Sequence, residues 1–107
     1  MTETEYLEVI RDSVRDGLSD LNPHDHEWAS RRLVEPQPIQ VVFPGASEGE
    51  STETVYLVTD FVDGDTEDYR VVYDPALITF GLIHHDRQGR EVLLDLYGDF
   101  AQTVRSL

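Results

Sequence analysis

Apolar positions recur first at helical spacing and later at strand spacing, and that switch orders the whole chain. Leu7, Ile10, Val14, Leu18 and Leu21 fall three or four residues apart, which gathers them into one stripe along a helix over residues 1–21. Thr2 and Glu5 stand in the T-x-x-E spacing of a capping box. Glu3 and Glu5 place negative charge at the positive end of the helix dipole. Asn22-Pro23 ends this helix and starts another, since asparagine caps well and proline suits the first helical position. The next stretch reads as a short helix over 24–33 with Trp28 inward, although its periodicity is poor. Pro36-Gln37-Pro38 then forces extended backbone, so 22–37 is short helix and linker.

From residue 38 to 97 the apolar period is two. Ile39, Val41 and Phe43 alternate up to Pro44-Gly45. A polar stretch over 44–54 has almost nothing to bury and reads as a mobile acidic loop. Residues 55–62 are β-branched and aromatic, Asp63-Gly64 has turn chemistry, and Tyr69, Val71 and Tyr73 share a face. Asp74-Pro75 opens a type I turn, after which Ile78, Phe80 and Leu82 face the core. A turn at Asp86-Arg87-Gln88-Gly89 leads to a last strand with Val92, Leu94 and Leu96 on one side and Glu91 and Asp95 on the other. Asp99 and Gln102 cap a C-terminal helix over 99–107. No helix alternates with the strands, which excludes a parallel sheet. The expected class is a single α+β domain with an N-terminal amphipathic helix, a four- to five-stranded antiparallel meander and a short C-terminal helix, the helices covering one sheet face.

Charge changes the picture most. Twenty-two acidic residues face eight arginines and no lysine, a net charge of −14 over 107 residues. A small soluble domain carries a magnitude of about 2 to 8. Such a chain lacks the basic footprint that phosphate recognition needs, which disfavours direct binding to DNA, RNA or anionic lipid. Without cysteine it has no disulfide framework and no thiolate metal site. No apolar run approaches the length of a membrane span, and the acidic first residues lack the basic start of a secretory signal, so a cytoplasmic location is expected. A GC-rich codon bias would explain missing lysine but not surplus carboxylate.

Between Arg32 and Arg70 no basic residue occurs, while Glu35, Glu48, Glu50, Glu53, Asp60, Asp63, Asp65, Glu67 and Asp68 do. A solvated face is the bland explanation. The sharper one is a recognition surface for a basic protein, since clustered carboxylates raise association rates by steering. Along a meander the 44–54 loop and the 63–68 turn fall at opposite ends, so one compact patch is not guaranteed. Residues 63–68 alternate oxygen ligands, yet they lack the sixth-position glycine and the twelfth-position glutamate of a calcium hand. The four histidines form the pairs His24/His26 and His84/His85, whose members diverge on a helix or strand. Each pair could lend at most one ligand to a metal, and no metal or other cofactor is expected. No nucleophile elbow, phosphate loop, H-E-x-x-H or cysteine nucleophile is present.

These readings converge on a non-catalytic bacterial binding protein that engages a basic protein partner, most concretely an immunity protein or antitoxin neutralising a toxin. Asp60, Asp63, Asp65, Glu67 and Asp68 are the expected contacts, with Glu48, Glu50 and Glu53 as steering charges. The alternative is a housekeeping or structural domain of a salt-adapted or GC-rich organism, its acid serving surface hydration. A third reading is a small metal-dependent enzyme. Oligomeric state is not legible.

Overall fold

The computed structural model describes residues 2–44 and 52–107. Helix α1 spans Glu3–Ser19 and α2 spans Pro23–Arg32. The strands are β1 (Leu33–Val41), β2 (Glu53–Thr59), β3 (Arg70–Asp74), β4 (Thr79–His85) and β5 (Glu91–Gly98), and α3 (Phe100–Arg105) follows. All strand pairs are antiparallel, in the order β1-β2-β3-β4-β5. This is the expected α+β architecture.

The helix ends form for local reasons. Thr2 accepts from the Glu5 backbone N–H at 3.3 Å, and its hydroxyl, not its amide, meets the Glu5 carboxylate. Asn22 accepts from Asp25 N–H at 2.8 Å with Pro23 in the first turn, so α2 does form. Asp99 and Gln102 complete a reciprocal box at the start of α3.

The sheet buries both faces. On one, Ile10 and Val14 from α1, Ala29 from α2 and Phe100 and Val104 from α3 pack on Tyr56, Val58, Val71, Tyr73, Phe80 and Leu82. Phe80 lies edge-on to both Tyr73 and Phe100, at 5.0 and 5.7 Å. Gly17 lets α1 and α3 approach, because a Cβ there would lie 2.9 Å from that of Phe100. On the other face Val41, Val55, Leu57, Val72, Ile83 and Leu93 form a second core to which no helix contributes a buried residue. Just past β1, Val42 bridges Val92 in parallel: its N–H donates to the Glu91 carbonyl, and Leu93 N–H donates to the Val42 carbonyl, both at 2.9 Å. The edge strands thus meet at one point and the sheet curls around its own apolar face. Helices cover one face, as expected, and the curl accounts for burial of the other.

Several details depart from expectation, among them β2 itself, which takes in Glu53 and Thr54 from the expected 44–54 loop and ends at Thr59 instead of residue 62. The first strand begins at Leu33, with a register irregularity between Leu33 and Gln37. Irregularities in the β4–β5 ladder break the alternation, so Leu93 is buried opposite Ile83 and Leu94 is only half-buried. Ile78 does not face the core; it is 76% exposed with φ +52°. Asp74 causes this, since its carboxylate accepts from Ala76 N–H (2.9 Å) and Leu77 N–H (3.4 Å) and draws 75–78 into a turn.

Candidate functional site

The β2–β3 connection, residues 60–69, carries most of the acidic residues singled out by the sequence. It is anchored from inside. The Asp65 side chain is only 5% exposed and holds Arg32 through two bonds, Nε to Oδ2 at 3.0 Å and Nη2 to Oδ1 at 2.8 Å. It also accepts from the Glu67 and Val62 backbone amides. Arg32 further donates to the Trp28 carbonyl and lies 4.7 Å over the Trp28 ring. The arginine bonds foremost, then the two amides, hold the Asp65 carboxyl at about 2, below its ordinary 3.8, against the opposing effect of desolvation. Asp65 therefore fastens the loop to α2 and presents little surface to a partner.

Beside it, Arg70 is buried, with 9% of its side chain exposed, and its Nε has no hydrogen-bond partner. Its guanidinium pairs with Glu91, lies 3.6 Å from Asp60, and sits 4.9 Å over the Phe61 ring. His85 joins the cluster. Its Nε2 lies 2.9 Å from Arg70 Nη2 and 2.5 Å from Glu91 Oε1. One nitrogen cannot accept from the arginine and donate to the carboxylate together. A carboxylate only accepts, so the closer contact assigns the hydrogen to Nε2. Asp60 lies at ion-pair distance from Arg70 with its side chain 42% exposed, and its Oδ1 also accepts from the Phe61 amide at 2.8 Å.

Above this cluster opens a cleft of about 260 Å³, lined by Phe61, Glu67, Asp68, Tyr69, His84 and His85. Phe61 stands edge-on to His85, and Tyr69 is tilted against His84, each pair with ring centroids 6.4 Å apart. Glu67 Oε1 accepts from the amides of Asp68 (3.1 Å) and Tyr69 (3.3 Å), which pins one oxygen and leaves the other unengaged. Neither Asp63, Glu67 nor Asp68 has an arginine within ion-pair distance among the described residues. The antiparallel register explains this assembly: β3 leaves the 60–69 connection and β4 returns to it, so His84 and His85 arrive beside Tyr69 and Arg70.

Five expected contacts thus fall in one connection, and among the described residues Asp63, Glu67 and Asp68 have no ion-pair partner. Glu53 pairs with Val41 at the far end of β2, about 20 Å away by strand rise. Glu48 and Glu50, with most of the 44–54 loop, lie outside the described residues. Glu35 pairs with Arg11 instead. His24 and His26 are exposed on α2, where His26 Nδ1 meets the Ser30 hydroxyl at 3.3 Å. Among the described residues no three histidine or carboxylate side chains converge as metal ligands, and no helix is long and apolar enough to cross a membrane. Sequence reasoning missed Phe61, Tyr69 and Arg70 as site residues. The only available signal was that the aromatic residues interrupt an otherwise polar stretch. No family model, curated protein or solved structure matches this chain.

Proposed function

We propose that this chain is a non-catalytic bacterial binding protein, cytoplasmic in location, whose acidic 60–69 end engages a basic protein. Its most concrete form is an immunity protein or antitoxin that neutralises a toxin. The observation that supports it is the division of labour among the carboxylates. Asp65 holds Arg32, Asp60 lies beside Arg70, and the anchored loop presents Asp63, Glu67 and Asp68 without counter-ions among the described residues. Preordered charge of one sign speeds encounter with a partner of the other. The test uses basic proteins encoded beside this gene, co-expressed and then followed by stopped-flow association. A complex should form and relieve toxicity, and D63N/E67Q/D68N should slow association at least tenfold at low salt and flatten its salt dependence. Unchanged low-salt on-rates would refute the role of this end. A partner that binds without loss of toxicity would refute the antitoxin form.

One observation favours a second reading. Glu3, Glu5, Glu8, Asp12 and Asp16 along α1, and Asp20 at its C-terminal cap, are all exposed, so acid is not confined to the 60–69 end. A hydration role in a salt-adapted protein would spread carboxylates in this way. That reading expects stability to climb steadily into molar salt and no partner to be recovered.

A further inference from the structure

The protein twice uses the same device on its own arginines. Arg32 lies over Trp28 and is held by Asp65; Arg70 lies over Phe61 and is held by Glu91. In each case a guanidinium is placed between a ring face and a carboxylate. The cleft at the 60–69 end repeats these components without an arginine among its described lining residues. Tyr69 and His84 supply tilted rings, Phe61 and His85 a second pair, and Glu67 and Asp68 the carboxylates.

We propose that this cleft is a subsite for an arginine side chain of the partner, the guanidinium resting against the Tyr69 and His84 rings and bonded by Asp68 and the unengaged Glu67 oxygen. The inference rests on the proposed binding function and names the chemistry of its contact. Arginine is selected over lysine for three reasons. Its planar cation stacks on rings, it is weakly hydrated, and it donates in a fork that two carboxylates can share. A compact ammonium would gain the charge attraction alone. A phosphorylated or acidic segment is excluded by the same lining, because it would meet Glu67 and Asp68.

The test needs no partner protein. Acetyl-arginine amide is titrated into the isotope-labelled protein and followed by amide and ring NMR shifts, with acetyl-citrulline amide and acetyl-lysine amide as probes. Arginine should shift Tyr69, His84 and Asp68 saturably and bind at least threefold more tightly than lysine. Citrulline, of similar shape but neutral, should leave these residues unmoved. Tyr69→Ala should weaken arginine binding roughly two- to fivefold, the range of an exposed cation–ring contact. Asp68→Asn, at an exposed position with no core contact, should weaken it at least as much. Equal binding of lysine and arginine, or shifts spread equally over the α1 carboxylates, would reduce the effect to bulk attraction and overturn the subsite. Citrulline binding as well as arginine would overturn it too. Loss of arginine selectivity in the small-probe titration with partner on-rates still charge-dependent would sink the subsite alone, whereas selective arginine binding with no partner complex would sink the proposed function alone.

Discussion

Gly81 is the position where a single methyl group should propagate furthest. It lies in β4 opposite Val72 and Leu96, between two irregularities in the β4–β5 ladder. A Cβ built there would stand 2.8 Å from Leu96 Cδ2 and closer still to the Asp95 carbonyl oxygen. The leucine end can rotate away, but the carbonyl is backbone in a paired strand and cannot. Relief requires β5 to separate from β4 by roughly 1 Å, since non-bonded carbon contacts settle near 3.5–4.0 Å. Overpacking of this kind costs about 1–3 kcal/mol when side chains can adjust, so Gly81→Ala belongs at or above the upper end, about 3 kcal/mol. For a domain whose total stability is of order 5–15 kcal/mol, that loss should lower the melting temperature by about 10 °C or more. Urea titration is the assay, with the midpoint falling and the slope unchanged. The same displacement should disturb the Arg70–Glu91 and His85–Glu91 contacts, which span β3, β4 and β5, and broaden the His84 and His85 ring signals. A Gly81→Ala protein within about 0.5 kcal/mol of the parent would refute the claim that backbone proximity, and not chance, places glycine here.

Other expectations follow from the same contacts. Because the Asp65 carboxyl titrates at about 2 when folded and near 3.8 when unfolded, its stabilisation is complete above the higher value. It is lost as pH falls toward the lower one, so urea midpoints between pH 4 and 2 should fall less steeply in Asp65→Asn than in the parent. Asp86, lowered chiefly by the Arg90 amide and also by its guanidinium, should add to the same acid limb. Asp99→Ala removes the capping box of a helix that delivers fully buried Phe100, and should cost about 1 kcal/mol by urea titration, with no loss expected if the cap were idle. Raising salt from 0.05 to about 0.3 M should raise the melting temperature of a chain with net charge −14 by screening, and a continued steep climb toward molar salt would favour the hydration reading instead. D63N/E67Q/D68N should itself be slightly more stable than the parent at low salt, by about 0.5 kcal/mol or less per site. A less stable triple variant would show that relief of repulsion is outweighed by the bonds Glu67 accepts from the Asp68 and Tyr69 amides.

The fold was legible where local chemistry decided it. The Leu7-to-Leu21 stripe, the caps at Asn22 and Asp99, and the alternation through Val71 and Tyr73 all describe interactions within a few residues, and each appears as expected. The curl of the sheet was not legible. It depends on Val42 reaching Val92, fifty residues away, and alternation along one strand carries no information about which strands meet. Ile78 misled for a related reason. A β-branched residue in the left-handed region is a rare outcome that pattern alone never selects, and here the Asp74 carboxylate organises the turn against that preference.

The acidic window was legible as a composition but not as a division of roles. Asp63, Asp65, Glu67 and Asp68 are chemically alike and lie within six positions, yet one is buried against an arginine and the others are not. What separates them is the location of Arg32, thirty-three residues earlier in sequence and brought close because α2 ends where β1 and β2 begin to pair. The same holds for Asp60, whose partner Arg70 starts the next strand. Each arginine therefore does two things at once. It lies against a carboxylate, withdrawing Asp65 from the surface while Asp60 stays partly exposed, and it fastens the loop that displays the remaining ones. Replacing Arg32 by methionine would keep the packing against Trp28 and remove the fastening. If display depends on that anchor, the variant should lose partner on-rate even though its net charge becomes more negative, whereas an on-rate that merely followed net charge would rise. The opposing signs make Arg32→Met the variant that best separates preordered charge from charge as such.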